Sequence, residues 1–347
     1  MKYSKVVMES IGYELAPVVV SSAELEERIE PIYEKLHIPE GQLETLTGIA
    51  ERRWWEKDYS MARGAALAAQ HALRESNVAP ADIGALIYAG VNRDHFEPAT
   101  ACQVAAELGV GGTAAVFDLS NACLGVINGM IDVANRIELG QIRAGLVVSC
   151  ETAREINDIM IDRMLAEPTM GMFAKSLATL TGGSGAAAVL LTDGSFDCAR
   201  AHQLLGGIAC AAPEHHELCY WTLAPEQGNA VREIMSTDAV SVLKHGVGLG
   251  RTTWESFLDE LGWTNADVDK VICHQVGAAN RLQILETIGV PVEKDFSTYE
   301  FLGNMGTVSL PLTAAIAEER EFLKAGDRVG FLGIGSGLNC LMAGLRW

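Results

Sequence analysis

Two stretches of this chain repeat one another. Ala81-Asp82-Ile83-Gly84-Ala85-Leu86-Ile87-Tyr88-Ala89 and Ala266-Asp267-Val268-Asp269-Lys270-Val271-Ile272-Cys273-His274 both run from an Ala-Asp turn into an apolar strand, and both follow an amphipathic helical pattern. A second pair follows in the same order, with residues Gly140–Val147 echoed by Gly326–Leu332. Ordered repetition predicts a duplicated α/β unit. Its first half covers residues 1–192 and its second 193–347, with the boundary near Leu191 to Gly194. Two similar halves packed face to face bring equivalent strand ends to one pseudo-twofold axis. Ala89 then corresponds to His274, and Cys123 and the loop near Asn304 each follow a turn after their half's repeated strand. The duplication thus gathers Cys123, His274 and Asn304, which are far apart in sequence.

Composition narrows the function. Of 347 residues, 49% are hydrophobic and 20% charged, enough for a large core and unlike a disordered chain. A formal charge of −19 argues against nucleic acid as the main partner and requires any anionic substrate to find a local basic patch. The eight cysteines show neither a Cys-x-x-Cys pair nor zinc-like spacing, so no metal site is expected. Met1–Glu9 breaks its apolar run with charge, and no apolar run reaches the length of a membrane span. A reduced, cytoplasmic protein without membrane insertion is expected.

Periodicity predicts helices over Ser22–Leu36 and Met61–Glu75, and buried strands over Ala85–Val91, Ala114–Leu119 and Gly145–Cys150. Cys123 falls where the strand ending at Leu119 gives way to a helical pattern of Val126, Ile127, Met130 and Ile131. Unpaired N–H groups at a helix start favour thiolate, so this position suits a nucleophile that reacts fastest among the cysteines; the alternative is a buried structural cysteine. His274 closes a strand, the usual site position in open α/β sheets. Asn304 stands near Gly303 and Gly306, where an amide can donate to an oxyanion or merely complete a turn. In Gly333-Ile334-Gly335-Ser336-Gly337-Leu338 the backbone N–H of Ser336 is a second candidate donor. The glycines of Thr181–Leu191 lead into a strand, so close packing suits them better than phosphate binding. Arg52, Arg53 and Trp54 fit either a surface loop with aromatic packing or contact with an anionic, aromatic ligand such as a nucleotide. Residues 92–100 form a polar loop at a strand end.

Asn-Ala-Cys-Leu-Gly at Cys123, Cys-His-Gln at His274, Gly-Asn-Met-Gly-Thr-Val-Ser at Asn304 and the closing Gly-Ile-Gly-Ser-Gly-Leu resemble the thiolase superfamily, most closely its ketoacyl synthase III branch. The resemblance covers nearly the whole chain. It implies a duplicated five-layer αβαβα fold, a homodimer, Cys123 as acyl acceptor, and His274 and Asn304 activating a second substrate. The backbone N–H groups of Cys123 and Ser336 would form the oxyanion hole. It implies no cofactor, acyl-CoA or acyl-carrier protein being substrate. Glu97 departs from the aromatic residue of ordinary initiating synthases and resembles the condensing enzymes of long-chain olefin biosynthesis, where this glutamate enters the partner's site as a base. Gln42 and Leu46 replace the Trp and Arg that hold coenzyme A in the fatty-acid enzymes, so those contacts do not carry over. The implied reaction is a non-decarboxylative Claisen condensation of two acyl-CoAs. Its rivals are a malonyl-dependent synthase, an ester- or amide-forming acyltransferase, and a degenerate structural subunit.

Overall fold

The computed structural model describes residues 1–196, 201–225 and 231–347. Its main sheet contains β1 (Val7–Leu15), β2 (Ile83–Tyr88), β3 (Ala115–Asp118), β4 (Ala144–Glu151), β5 (Gly185–Thr192), β6 (His202–Ala211), β7 (Lys270–Cys273), β8 (Arg328–Gly335) and β9 (Asn339–Arg346). The spatial order is β7-β8-β9-β6-β1-β5-β4-β2-β3. One pattern occurs twice. In the first half β2 runs parallel to β3 and β4, and β5 is antiparallel to both β4 and β1. In the second half β7 runs parallel to β8, and β9 is antiparallel to both β8 and β6. A single parallel bridge from Val271 to Asp295 stands where the first half has β3. The halves join where Val7 and Met8 of β1 pair with Gln203 and His202 of β6.

The repeat holds down to single hydrogen bonds. Ala89 N–H donates to Val148 O at 2.8 Å, and His274 N–H donates to Leu332 O at 2.9 Å. These are equivalent bonds at the ends of equivalent strands, so His274 stands on the second half where Ala89 stands on the first.

Helices complete five layers. Alternate residues of the strands supply opposite faces. Leu86, Tyr88, Val148 and Cys150 pack outward beneath α1 (Met61–Arg74) and α2 (Thr100–Leu108). Ile87 and Val147 of the first half, with Phe331 and Leu341 of the second, face a central layer made of α3 (Gly125–Glu138) and α6 (Ser309–Glu319). Trp254 and Phe257 of α4 (Ala239–Leu261) and Leu285 of α5 (Ala278–Ile288) cover the outer face of the second half. No helix among the described residues is long and apolar enough to cross a membrane.

Two expectations change in detail. The helix anticipated over Ser22–Leu36 is two, Ser22–Arg28 and Glu30–Leu36. Pro31 lies at the start of the second and cannot supply the N–H that an unbroken helix needs there. The strand anticipated as buried over Ala114–Leu119 is the edge strand β3, half-buried because only β2 flanks it. Gly183 is tightly packed, since a Cβ there would lie 2.0 Å from Leu302 O.

Candidate active site

Cys123 is presented by a sharp turn. After β3 the chain passes Ala122, whose φ of 45° lies in the left-handed region, and makes one 3₁₀ turn before α3 begins at Gly125. Such a conformation costs a residue with a Cβ about 1–3 kcal/mol and persists only where the surroundings enforce it. Two contacts do so. A Cβ at Gly125 would lie 2.1 Å from Ala89 O, so only glycine lets α3 start this close to the end of β2. One residue on, the buried N–H of Val126 donates to Thr307 Oγ1 at 2.7 Å. A hydroxyl from the second half thereby satisfies an otherwise unpaired donor at the start of α3.

Thr307 belongs to the loop that carries Asn304. There Asn304 N–H donates to Thr181 O at 2.9 Å, and Asn304 O accepts from Gly183 N–H at 2.9 Å. The side-chain Oδ1 of Asn304 accepts from Gly306 N–H at 3.0 Å. That bond orients the amide and leaves Nδ2 as the donor available to a ligand.

Cys123, His274, Asn304 and Ser336 line one cavity, enclosing about 1110 Å³ with the solvent at its mouth. Its walls are largely apolar and include Val242, Leu243 and Val247 of α4 and Ile284 of α5. The turn after β8 backs on the cysteine, for a Cβ at Gly335 would lie 3.4 Å from Cys123 N.

Burial sets the protonation states. It pushes the His274 imidazole down to about 4, so the ring is neutral near pH 7, and its buried Nδ1 has no hydrogen-bond partner among the described residues. It pushes the Cys123 thiol up to about 12, with charge on Cys219 and Glu151 adding to the effect and a backbone hydrogen bond opposing it. This corrects the expectation of a thiol activated by a helix start. α3 begins only at Gly125, and desolvation of the sulfur outweighs the backbone donors.

The structure also corrects the ligand-contact reading of Arg52, Arg53 and Trp54, none of which lines the cavity. They form a short strand, Glu51–Trp54. Arg52 is fully buried and donates to Ser22 Oγ at 3.0 Å; Trp54 is buried and its Nε1 donates to Gly182 O at 3.1 Å. Arg53 donates from Nη1 to Ala16 O at 3.4 Å. Alternation along the strand buries Arg52 and Trp54 inside the fold, out of reach of a surface ligand.

Glu97 is exposed and is absent from the lining of its own chain's cavity. Its neighbour Phe96 is 97% exposed, the most exposed large apolar side chain among the described residues. The loop is anchored below this tip. Asp94 accepts from the N–H groups of Met61 and Ala62 at the start of α1, and Asp118 from those of Thr100 and Ala101 at the start of α2.

Sequence reasoning passed over three residues at the site. Cys219 lines the cavity, Thr307 ties α3 to the Asn304 loop, and Glu151 ends β4 beside that loop. Only Glu151 carries a local signal, a carboxylate closing an apolar strand.

A neutral imidazole and an amide both donate to an oxygen that gains charge, and one such donor is worth about 10²–10³-fold in rate. Replacing His274 or Asn304 by Ala is therefore expected to slow condensation by about that factor while sparing acylation of Cys123. Single-turnover acylation by intact mass, set beside product formation, measures the split; equal losses in both would contradict it.

The fold and this arrangement define a class, the thiolase-fold condensing enzymes. The family model for the C-terminal part of 3-oxoacyl-[acyl-carrier-protein] synthase III matches residues 258–347. A β-ketoacyl-[acyl-carrier-protein] synthase III of Streptomyces coelicolor is 30% identical, over 98% of this chain and 97% of that protein. Similarity is higher to acyl-CoA:acyl-CoA alkyltransferases, 60% for that of Shewanella oneidensis and 35% for that of Xanthomonas campestris, over all of both chains in each case. The crystal structure of cerulenin-bound Xanthomonas campestris OleA superposes with a TM-score of 0.93 at 34% identity, covering 100% of this chain and 98% of that one. A Cys-to-Ser variant of the same OleA with bound lauric acid and lauroyl-CoA gives 0.92 at 34% identity, covering 99% and 100%. The chain belongs to the acyl-CoA:acyl-CoA alkyltransferase family.

Proposed function

We propose that this chain condenses two acyl-CoA molecules, without decarboxylation, to a β-ketoacyl-CoA, whose thioester is then hydrolysed by water to the β-keto acid and free coenzyme A. The observation that carries the reading is the convergence of Cys123, His274 and Asn304 on one largely apolar cavity. The sulfur of Cys123 attacks the first thioester carbonyl, the N–H groups of Cys123 and Ser336 hold the oxyanion, and coenzyme A leaves. The thiol proton of Cys123 ends on the departing sulfur, so this half-reaction balances without an outside acid or base. A second acyl-CoA then loses an α-proton to Glu97, while His274 and Asn304 hold the enolate oxygen. The carbanion attacks the acyl-cysteine, the new carbon–carbon bond forms, and the freed cysteine sulfur takes the proton that Glu97 removed.

Glu97 acts in a homodimer, in the partner's site. Its exposure, the bare Phe96 beside it and the open edge of β3 support that arrangement. No cofactor enters either step. A cytoplasmic setting fits the acyl-CoA substrate and the seven free cysteines of the described residues.

Incubating the purified protein with a long-chain acyl-CoA alone is expected to yield a β-keto acid, or the ketone formed when that acid loses CO₂. Product that forms only when a malonyl donor is added would replace this reading with a decarboxylating synthase. An ester or amide product would replace it with a simple acyltransferase.

A further inference from the structure

The polar loop at residues 91–99 is held by three carboxylates, and they are not equivalent. Asp94 and Asp118 cap helices, a common structural duty. Glu151 caps nothing. It is 4% exposed at the end of β4, and its two oxygens divide the loop stem between them. Oε1 accepts from Val91 N–H at 2.8 Å, and Oε2 accepts from Asn92 N–H at 3.1 Å. On its other side lies the loop that carries Asn304. A Cβ at Gly306 would lie 3.6 Å from Glu151 Oε1, and Gly306 N–H is the group that orients the Asn304 amide. One buried carboxylate thus separates the stem of the Glu97 loop from the base of the Asn304 loop.

We propose that Glu151 is a positioning residue of the condensation: its carboxylate fixes the stem of the Glu97 loop against the Asn304 loop. The inference rests on the condensing reading above. Burial pushes the Glu151 carboxyl up to about 7, against the two backbone donors and the Arg93 guanidinium, which favour its charge. Burial first, and the Glu151 charge after it, raise Tyr88 on β2 and Cys150 on β4. Above about pH 7 Glu151 is a carboxylate that accepts from both loop N–H groups. Glu151→Gln keeps the shape, loses one of the two acceptors and removes the charge.

The test compares wild type, Glu151→Gln and Glu151→Asp in two measurements: acylation of Cys123 by a long-chain acyl-CoA, and condensation of that acyl-CoA. Losing one hydrogen bond to a charged, buried group typically costs about 10- to 100-fold. For Glu151→Gln, condensation should fall by that factor through kcat with KM little changed, while acylation is retained. Glu151→Asp keeps the charge and both acceptors on a shorter stem, so it should condense at an intermediate rate. A purely structural role would depress acylation and condensation alike. Condensation by Glu151→Gln at the wild-type rate, or equal loss in both half-reactions, overturns the assignment. If Glu151→Gln does not fold, Glu151→Asp is scored by the same contrast between condensation and acylation. The wild-type arm keeps the two questions apart: a wild type that makes no product without a malonyl donor refutes the function, whereas a wild type that condenses while Glu151→Gln matches it refutes only the role of Glu151.

Discussion

Cys123→Ala is expected to abolish covalent acylation and to leave the fold in place. The side chain is half-buried in the cavity, and removing one sulfur atom from a site that stays open to ligand is expected to change stability by no more than about 1 kcal/mol. Loss of the nucleophile removes the acyl-enzyme entirely, so no second half-reaction can follow. Intact mass after exposure to acyl-CoA reads the outcome directly, and a mass shift of one acyl group in the variant would move the nucleophile elsewhere. The same residue carries a pH signature. With the thiol pushed up to about 12, thiolate is scarce at neutral pH and grows tenfold with each unit. Alkylation of Cys123 should therefore keep rising from pH 7 to pH 10 without levelling off, and a plateau below pH 8 would mean that the resting site stabilises thiolate after all.

Glu97→Gln should still acylate Cys123 yet fail to condense two acyl-CoAs. The amide keeps the side chain's shape and loses its capacity to take a proton, and removing a general base costs about 10²–10⁴-fold. The exposed tip and anchored stem of the loop make this a test of architecture as well as chemistry. In a mixed dimer, one chain carries Cys123→Ala and the other Glu97→Gln. If Glu97 reaches into the partner's site, the intact cysteine of the second chain meets the intact glutamate of the first. One complete site then survives, although each variant homodimer is dead. If Glu97 served its own chain, the mixed dimer would contain no complete site. Glu97→Gln homodimers that condense at the wild-type rate would leave the carbanion without its base and return the malonyl-dependent synthase as the better reading.

Much of the scaffold was legible before any coordinates, because the features that reveal it are local. The Ala81–Ala89 and Ala266–His274 repeats each encode a turn and a strand within nine residues, and the structure gives the two strands matching neighbours and matching terminal hydrogen bonds. Strand ends and glycine-flanked turns likewise pointed to Cys123, His274 and Asn304, which line one cavity. What the sequence could not determine depends on groups distant along the chain. Whether Arg52 and Trp54 face a ligand or the core is decided by partners at Ser22 and Gly182, remote in sequence from the strand they sit on. The protonation of Cys123 and His274 follows from desolvation by both halves together, which reversed the expectation drawn from the helix start alone. Thr307 and Glu151 have no partner within reach of local pattern; Thr307 bonds across the two halves to Val126, and Glu151 bonds to Val91 and Asn92, in the same half but remote along the chain. Periodicity reports which face of an element is apolar, whereas charge state and hydrogen-bond partnership are sums over everything that packs against a group, and only the tertiary structure supplies that sum.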